Sequence, residues 1–217
     1  DLYQINMAES YWNDGIHERI AVFDLYFRKM PFNSGYAVFN GLKRVVNFIE
    51  NFGFTNEDIT YLKSIGYEED FLNYLKDLKF TGNIKSMQEG EICFGNEPLL
   101  RVEAPLIQAQ LIETILLNII NFQTLIATKA SRIRQIATHD TLMEFGTRRA
   151  QEIDAALWGA RAAFIGGFDS TSNVRAGKLF NIPVSGTHAH ALVQTYGDEY
   201  IAFKKYAERH KNCVFLV

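Results

Sequence analysis

A chain of 217 residues with 47% hydrophobic and 22% charged residues holds enough apolar mass for one large or two modest cores, which excludes a disordered polypeptide. Its net charge of -3 argues against a general nucleic-acid-binding surface and leaves room for a local basic pocket that takes phosphates. The most apolar stretch, 111–120, is interrupted by Glu113 and Asn118 and falls short of the roughly 20 apolar residues of a membrane-spanning helix, so a cytoplasmic chain without a membrane partner is expected.

The chain opens on Asp1-Leu2-Tyr3, with no initiator Met and no basic segment leading into an apolar one, so no secretion signal is read there. Residues 20–27 have the apolar, aromatic character of a strand, and 37–52 place apolar residues at helical spacing up to Gly53. A helix over 57–65 can be capped by Thr55 or Asn56, and 70–78 carries Phe71, Leu72, Leu75 and Leu78 on one stripe. Loose alternation over 83–94 and 99–103, punctuated by Gly90, Gly95 and Pro98, predicts short antiparallel strands. Pro105 then opens the longest helical pattern, which runs to about Ile136. The organisation changes near Gln123, giving an α+β domain over 1–122 and a second domain over 123–217.

Beyond that point the rhythm is regular. Residues 141–145, 162–165, 182–185 and 213–217 read as strands, separated by helices over 150–161, 171–180 and about 190–210. This alternation predicts parallel βα units, either an open doubly wound sheet or part of a (β/α)8 barrel. The closing run 213–217 has no turn residue, cap or charge after it, and the chain is read as a fragment cut within a buried strand. Cys93 and Cys213 lie inside apolar strand-like runs and form no CxxC pair, which favours buried thiols over a disulfide or a metal site.

Chemistry-bearing residues gather where the strands end. After 141–145 come Phe145, Gly146, Arg148 and Arg149: guanidinium forks match phosphate or carboxylate oxygens two at a time, and the ring can stack on a flat ligand. The plainer alternative pairs both arginines with Glu144 or Glu152 on the surface. In the segment 166–173 two glycines allow close backbone approach, Ser170 or Thr171 can cap the next helix, and its free amides attract anions. Asp169 would repel a phosphate unless it held a metal, a ribose hydroxyl or a ring nitrogen; otherwise Asp169 and Ser170 are capping residues. Segment 185–190 brings Thr187, His188 and His190 to the third strand end, where histidine serves as general base, metal ligand or nucleophile. The HxH pair is similar to the zinc sites of metal-dependent hydrolases, although no further ligand set is evident; of the two, His188 reads as the structural histidine. Tyr3 taken alone reads as a core aromatic, and Arg28-Lys29 as either a phosphate contact or an exposed turn.

Taken together, Asp1-Leu2-Tyr3-Gln4, 23–31, Glu144 to Gln151, 166–173 and 185–190 resemble the bacterial nicotinate phosphoribosyltransferases, in order and over essentially the whole chain. The resemblance implies an N-terminal α+β domain joined to the first units of a (β/α) barrel of the type II phosphoribosyltransferases, with further barrel strands beyond Val217. It implies transfer of the phosphoribosyl group from 5-phosphoribosyl-1-diphosphate to nicotinate, with ATP hydrolysis coupled and Mg2+ as cofactor, in a homodimer with shared sites. Under it, His190 matches the histidine that ATP phosphorylates, Thr187 lines the nicotinate site, and Phe145 and Tyr3 sandwich the pyridine ring, with Tyr3 supplied by the other subunit. Arg148 matches a contact to the phosphoribosyl group, and Asp169 and Ser170 border the pocket. Nicotinamide- or quinolinate-type phosphoribosyltransferases are the neighbouring alternatives, and the 217 residues alone are expected to be inactive.

Overall fold

The computed structural model describes residues 1–211 and Phe215, and the chain divides into two units, Asp1–Thr128 and Lys129 onward. Its first element is one that the apolar pattern does not announce. Helix α1 (Leu2–Asn13) starts on a capping box in which the Asp1 carboxylate accepts from Leu2 N at 2.8 Å, with Gln4 as the reciprocating residue. Only Gln4 and Ala8 of this helix are buried, and Gln4 Nε2 donates to the Gln110 carbonyl at 2.5 Å. Ala8 lies in the core with Ile5 and Trp12 packed against it, a short apolar stripe to which the Gln4 hydrogen bond adds.

Strand β1 (Ile20–Leu25) forms where expected. The helix expected over 37–52 is corrected at its start: β2 (Ala37–Val38) comes first, and α2 (Leu42–Glu50) follows a turn at Gly41 with φ +114. The backbone of 37–39 has strand partners, since Ala37 and Val38 pair with the later strand β4 and Phe39 N donates to Glu91 O at 2.9 Å. Helix α3 (Asn56–Ser64) takes Thr55 as its cap: Thr55 Oγ1 accepts from Asp58 N at 3.1 Å, and Thr55 N donates to Asp58 Oδ2 at 2.7 Å. Helix α4 (Glu69–Asp77) buries Phe71, Leu72 and Leu75.

Strands β3 (Asn83–Ser86), β4 (Ile92–Cys93) and β5 (Leu100–Pro105) complete two antiparallel sheets, β1-β5-β3 and β2-β4. The register sets Asp24 opposite Arg101, whose Nε and Nη2 reach the two carboxylate oxygens at 2.7 and 2.8 Å. Cys93 is buried with Sγ facing the Ala37 carbonyl, and burial pushes its thiol up to about 11, as suits a thiol used for packing. Cys213 and the strand expected over 213–217 lie outside the described residues.

Helix α5 (Leu106–Ile136) is the spine of the first core, where Ile107, Ile112, Leu116 and Ile120 pack with Phe39, Val45, Phe71, Leu75 and Leu100. By length and composition it could cross a membrane, and half of its most apolar 18-residue window is buried within the protein. The stretch 111–120 taken alone understates it, because the helix continues on both sides.

Two hydroxyls of α5 take over ladder positions that β2 lacks. Val38 N donates to Thr128 Oγ1 at 2.9 Å and Asn40 N to Thr124 Oγ1 at 3.1 Å, while Thr124 Oγ1 donates to the Asn40 carbonyl at 3.2 Å. Both threonines are fully buried, one helical turn apart.

The second unit contains β6 (Met143–Glu144), α6 (Glu152–Ile165), β7 (Ser170–Thr171), α7 (Val174–Phe180), α8 (His190–Tyr196) and α9 (Glu199–Arg209). β6 and β7 pair in parallel, Met143 with Ser170 and Glu144 with Thr171, and Thr171 forms a single parallel bridge to Val184. Strand, helix and strand thus alternate as the rhythm implies, within a mixed α/β fold. The strand expected over 162–165 is instead the last turn of α6. Alanine favours helix, Ala156, Ala160, Ala162 and Ala163 line its buried side, and four apolar residues cannot by themselves be told from a helix end. The helix stops at Gly166 and Gly167, the latter at φ +106, with Phe168 N donating to Ala163 O at 3.0 Å. Residues 171–180 begin their helix three residues late, and the helix expected over 190–210 is two helices, parted by Gly197 at φ +69 and recapped by Asp198 Oδ1 on Ile201 N.

We expect Thr124→Val, which keeps shape and removes the hydroxyl, to deprive the Asn40 amide and carbonyl of this partner and to destabilise the protein by about 1–3 kcal/mol. Urea unfolding at constant m-value is the measurement, and an unchanged midpoint would refute this use of the threonine.

Candidate functional site

The two-residue strands of the second unit are closed at both ends by carboxylates. At their N-terminal ends, Asp169 Oδ2 accepts from Leu142 N at 2.7 Å and from Arg134 Nη2 at 2.5 Å. The same guanidinium, on the last turns of α5, donates to the carbonyls of Gly167 at 2.7 Å, Ala137 at 2.9 Å and Asp140 at 2.8 Å. The Leu142 amide first, and Arg134 second, hold the Asp169 carboxyl below its ordinary range. Asp169 therefore clips chain to chain. It caps no helix, and it precedes β7 rather than following it. Capping of α7 falls to Asn173, whose Oδ1 accepts from Ala176 N at 3.0 Å, so the expected cap at Ser170 or Thr171 is corrected. Both of those residues belong to β7 and are buried, and Ser170 Oγ has no hydrogen-bond partner among the described residues.

The C-terminal ends carry the exposed chemistry. Glu144, the last residue of β6, folds its side chain back: one carboxylate oxygen accepts from Gly146 N and the other from Thr171 Oγ1 at 2.7 Å. Next to it, Phe145 is 36% exposed, and Arg148 and Arg149 stand exposed on a 3-10 turn, Thr147–Arg149. Among the described residues neither arginine pairs with Glu144 or Glu152, so the surface-pairing alternative is not what the fold adopts. The third parallel segment, bonded to β7 through Thr171 N to Pro183 O and Ser185 N to Thr171 O, each at 3.1 Å, leads into Gly186 and Thr187.

His188 and His190 part company. The His188 ring packs against Phe203 at 4.9 Å, Phe215 at 5.6 Å and Tyr206 at 6.3 Å, centroid to centroid, and Thr187 Oγ1 lies 3.5 Å from its Nδ1. His190 is exposed as the first residue of α8. One imidazole is structural and the other faces solvent.

Tyr3 belongs to the first unit and does not fill its core. It is 43% exposed, with its hydroxyl donating to Glu113 Oε2 at 3.0 Å and lying 2.7 Å from Thr114 Oγ1 on α5. Arg28, likewise exposed, lines a cavity of about 330 Å³ with Tyr26, Glu113 and Leu117. Sequence reasoning passed over Arg134, which lies in a helix without distinguishing neighbours, and read Glu144 only as a surface partner of the arginines. The signal for Glu144 was its glycine two residues on, where a Cβ would meet Glu144 Oε1 at 2.7 Å.

Among the described residues no group of three His, Cys, Asp or Glu side chains can hold a metal ion. With His188 caged by rings, the HxH zinc-hydrolase alternative lacks its ligands. At these strand ends both Glu144 oxygens and Asp169 Oδ2 accept from donors of the chain.

Comparison with known proteins fixes the family. The model of the nicotinate phosphoribosyltransferase N-terminal domain matches residues 1–121, more than half of the chain. The chain belongs to the nicotinate phosphoribosyltransferase family. It is 67% identical over 218 residues to the nicotinate phosphoribosyltransferase of Bacillus subtilis, covering 100% of this chain and 44% of that relative. The solved structure of human nicotinic acid phosphoribosyltransferase superposes with a TM-score of 0.85 at 39% identity, covering 90% of this chain and 40% of that one. A nicotinate-nucleotide pyrophosphorylase from Pyrococcus furiosus gives a TM-score of 0.79 at 26% identity, covering 96% and 46%. The chain thus spans less than half the length of each of these relatives.

Because the Asp169 carboxyl is held below its ordinary value of 3.8, its clip contributes stability that is fully present above that value and is lost as pH falls through the depressed one. We expect the melting temperature of Asp169→Asn to lie below that of the parent by a constant margin from neutral pH down to about 4, and the margin to close under stronger acid. Parallel thermal melts across that range check it; a margin that widens in acid would contradict the clip.

Proposed function

We propose that the full-length protein carrying this chain transfers the phosphoribosyl group of 5-phosphoribosyl-1-diphosphate to nicotinate, releasing nicotinate mononucleotide and diphosphate, with ATP hydrolysis coupled to the transfer. The nicotinate nitrogen attacks the anomeric carbon; the new N–C bond forms as the C–O bond to diphosphate breaks, and the electron pair leaves with diphosphate. Such a displacement passes through a cation-like state, so catalysis lies in holding two reactants in line and stabilising the departing anion.

One observation carries this reading. Three parallel segments of one unit end, side by side, in the Phe145–Arg148 turn, in Ser172-Asn173 and in Thr187 to His190. Their C-terminal ends are where parallel α/β folds bind ligands. Phe145 offers a plate for the pyridine, Arg148 an exposed fork for the phosphoribosyl phosphate, and Thr187 a hydroxyl at the nicotinate. Ser170 stands beneath them as part of the buried strand, and Asp169 acts from the far strand ends by fixing β7. Mg2+ would arrive on the diphosphate oxygens of the donor.

We assign ATP-driven phosphorylation to His190. Its imidazole attacks the γ-phosphorus, a P–N bond forms, the bond to ADP breaks, and the phosphohistidine alters the charge beside the diphosphate and its metal, so that coupling acts through substrate binding. Further strands beyond Val217 would complete a (β/α) barrel. Tyr3 would close over the pyridine of a partner subunit in a cytoplasmic homodimer; its exposed ring and the nearby Arg28, both presented beside the Glu113–Thr114 turn of α5, support that use.

The test uses full-length protein with γ-labelled ATP and each of nicotinate, nicotinamide and quinolinate. Nicotinate alone is expected to give mononucleotide, and an acid-labile phosphoryl group is expected on His190. His190→Ala should lose that label and all ATP stimulation while keeping slow ATP-independent transfer. Unchanged stimulation in the variant would remove His190 from the role, and product from quinolinate instead of nicotinate would overturn the substrate.

A further inference from the structure

Glu144 is one residue from the aromatic plate and four from the phosphate fork, yet no part of the proposed reaction uses it. Its geometry explains why. Both carboxylate oxygens are occupied by donors of its own chain: Gly146 N on one, and on the other Thr171 Oγ1 at 2.7 Å, from a residue with no exposure at all. Thr171 Oγ1 in turn accepts from Asn173 N at 3.0 Å, and the Glu144 carbonyl accepts from Ser172 N at 2.9 Å. Gly146 passes the constraint on, since its own carbonyl accepts from Arg149 N at 2.9 Å and closes the turn that bears Arg148.

We infer that Glu144 is the positioning residue of the nucleotide site: its carboxylate anchors the 145–149 turn to the buried hydroxyl of Thr171 and so fixes where Phe145 and Arg148 face the substrates. This rests on the function proposed above. An ionised carboxylate accepts only, which suits two donors arriving from different segments; charge-assisted bonds of this kind are about twice as strong as neutral ones. Gly146 follows from the same contact. Its φ of -82 suits any residue, and among the described residues the close neighbour of an added Cβ is Glu144, at 2.7 Å. Glycine there leaves room for the carboxylate, which an added methyl group would displace.

That dependence makes the inference testable by epistasis. In full-length protein, Glu144→Ala and Gly146→Ala, which acts by displacing the carboxylate, should each raise the KM for nicotinate and for the phosphoribosyl donor about tenfold, with kcat changed much less. The double variant should be no worse than Glu144→Ala, because the methyl group added at position 146 then meets nothing. Glu144→Gln, which keeps one acceptor, should fall between. An activity-independent readout comes from Arg148 and Arg149, both exposed: limited trypsin cleavage after them should quicken in Glu144→Ala and in Gly146→Ala, with melting temperatures within a few degrees of the parent. Additive losses in the double variant, a fall in kcat at constant KM, or unchanged cleavage would each overturn the assignment. If Glu144→Ala does not fold, Gly146→Ala alone decides by the same readouts. A parent protein that makes no nicotinate mononucleotide would refute the proposed function instead, and the cleavage result would still decide the anchoring role.

Discussion

Two parallel strands of two residues each cannot hold one another by ladder bonds alone, and everything that the second unit presents depends on how that deficit is met. Carboxylates meet it at both ends. Asp169 joins the chain before β7 to Leu142 and Arg134, and Glu144 joins the end of β6 to Thr171 and Gly146. Each accepts from donors on different segments, so removing one would release two donors at once. The consequence for chemistry is a matter of charge. Acidic groups that would repel anionic substrates are consumed in holding the fold, while Arg148 stands at the exposed ends with no ion-pair partner among the described residues. A site for phosphate and carboxylate groups needs that imbalance.

The first unit solves a related problem with hydroxyls. Among the described strands β2 has only β4 beside it, and α5 supplies Thr124 and Thr128 where further strand partners are missing. The helix is thus more than an apolar spine: buried amides of 38 and 40 end on its side chains, and Tyr3 and Gln4 of α1 end on Glu113, Thr114 and the Gln110 carbonyl. Spacing of polar groups along α5 places β2 on one side of it and α1 on another.

Legibility in the sequence followed the length and symmetry of the signal. β1, α4, β5 and α5 were readable because their apolar spacing is sustained over many residues. Residues 162–165 were misread because four apolar residues carry no period, and the helix that owns them begins ten residues earlier. α1 escaped because the stripe that docks it is short, Ile5, Ala8 and Trp12, and its start is marked by Asp1 and Gln4 rather than by apolar spacing. The strand-end rule expects Phe145, Arg148, Thr187 and His190 to follow parallel segments, and that is where the fold has them. It misplaced Asp169, since the real β7 begins after that residue and not before it. Arg134 was out of reach for a different reason: its four bonds go to carbonyls and a carboxylate that only the fold assembles.

The two histidines show how burial assigns roles that residue type leaves open. A phosphoryl group brings close to two negative charges at neutral pH, and these must be solvated or paired. On His188 they would have to be placed against the rings of Phe203, Tyr206 and Phe215, which pack on a half-buried imidazole. On His190 they would stand in water at the start of α8, beside backbone amides that the helix leaves free. Packing thus favours His190 over His188 as the acceptor that the proposed coupling requires. His188 contributes by anchoring the segment between Thr187 and α8 to α9, which sets the direction in which His190 leaves the strand end.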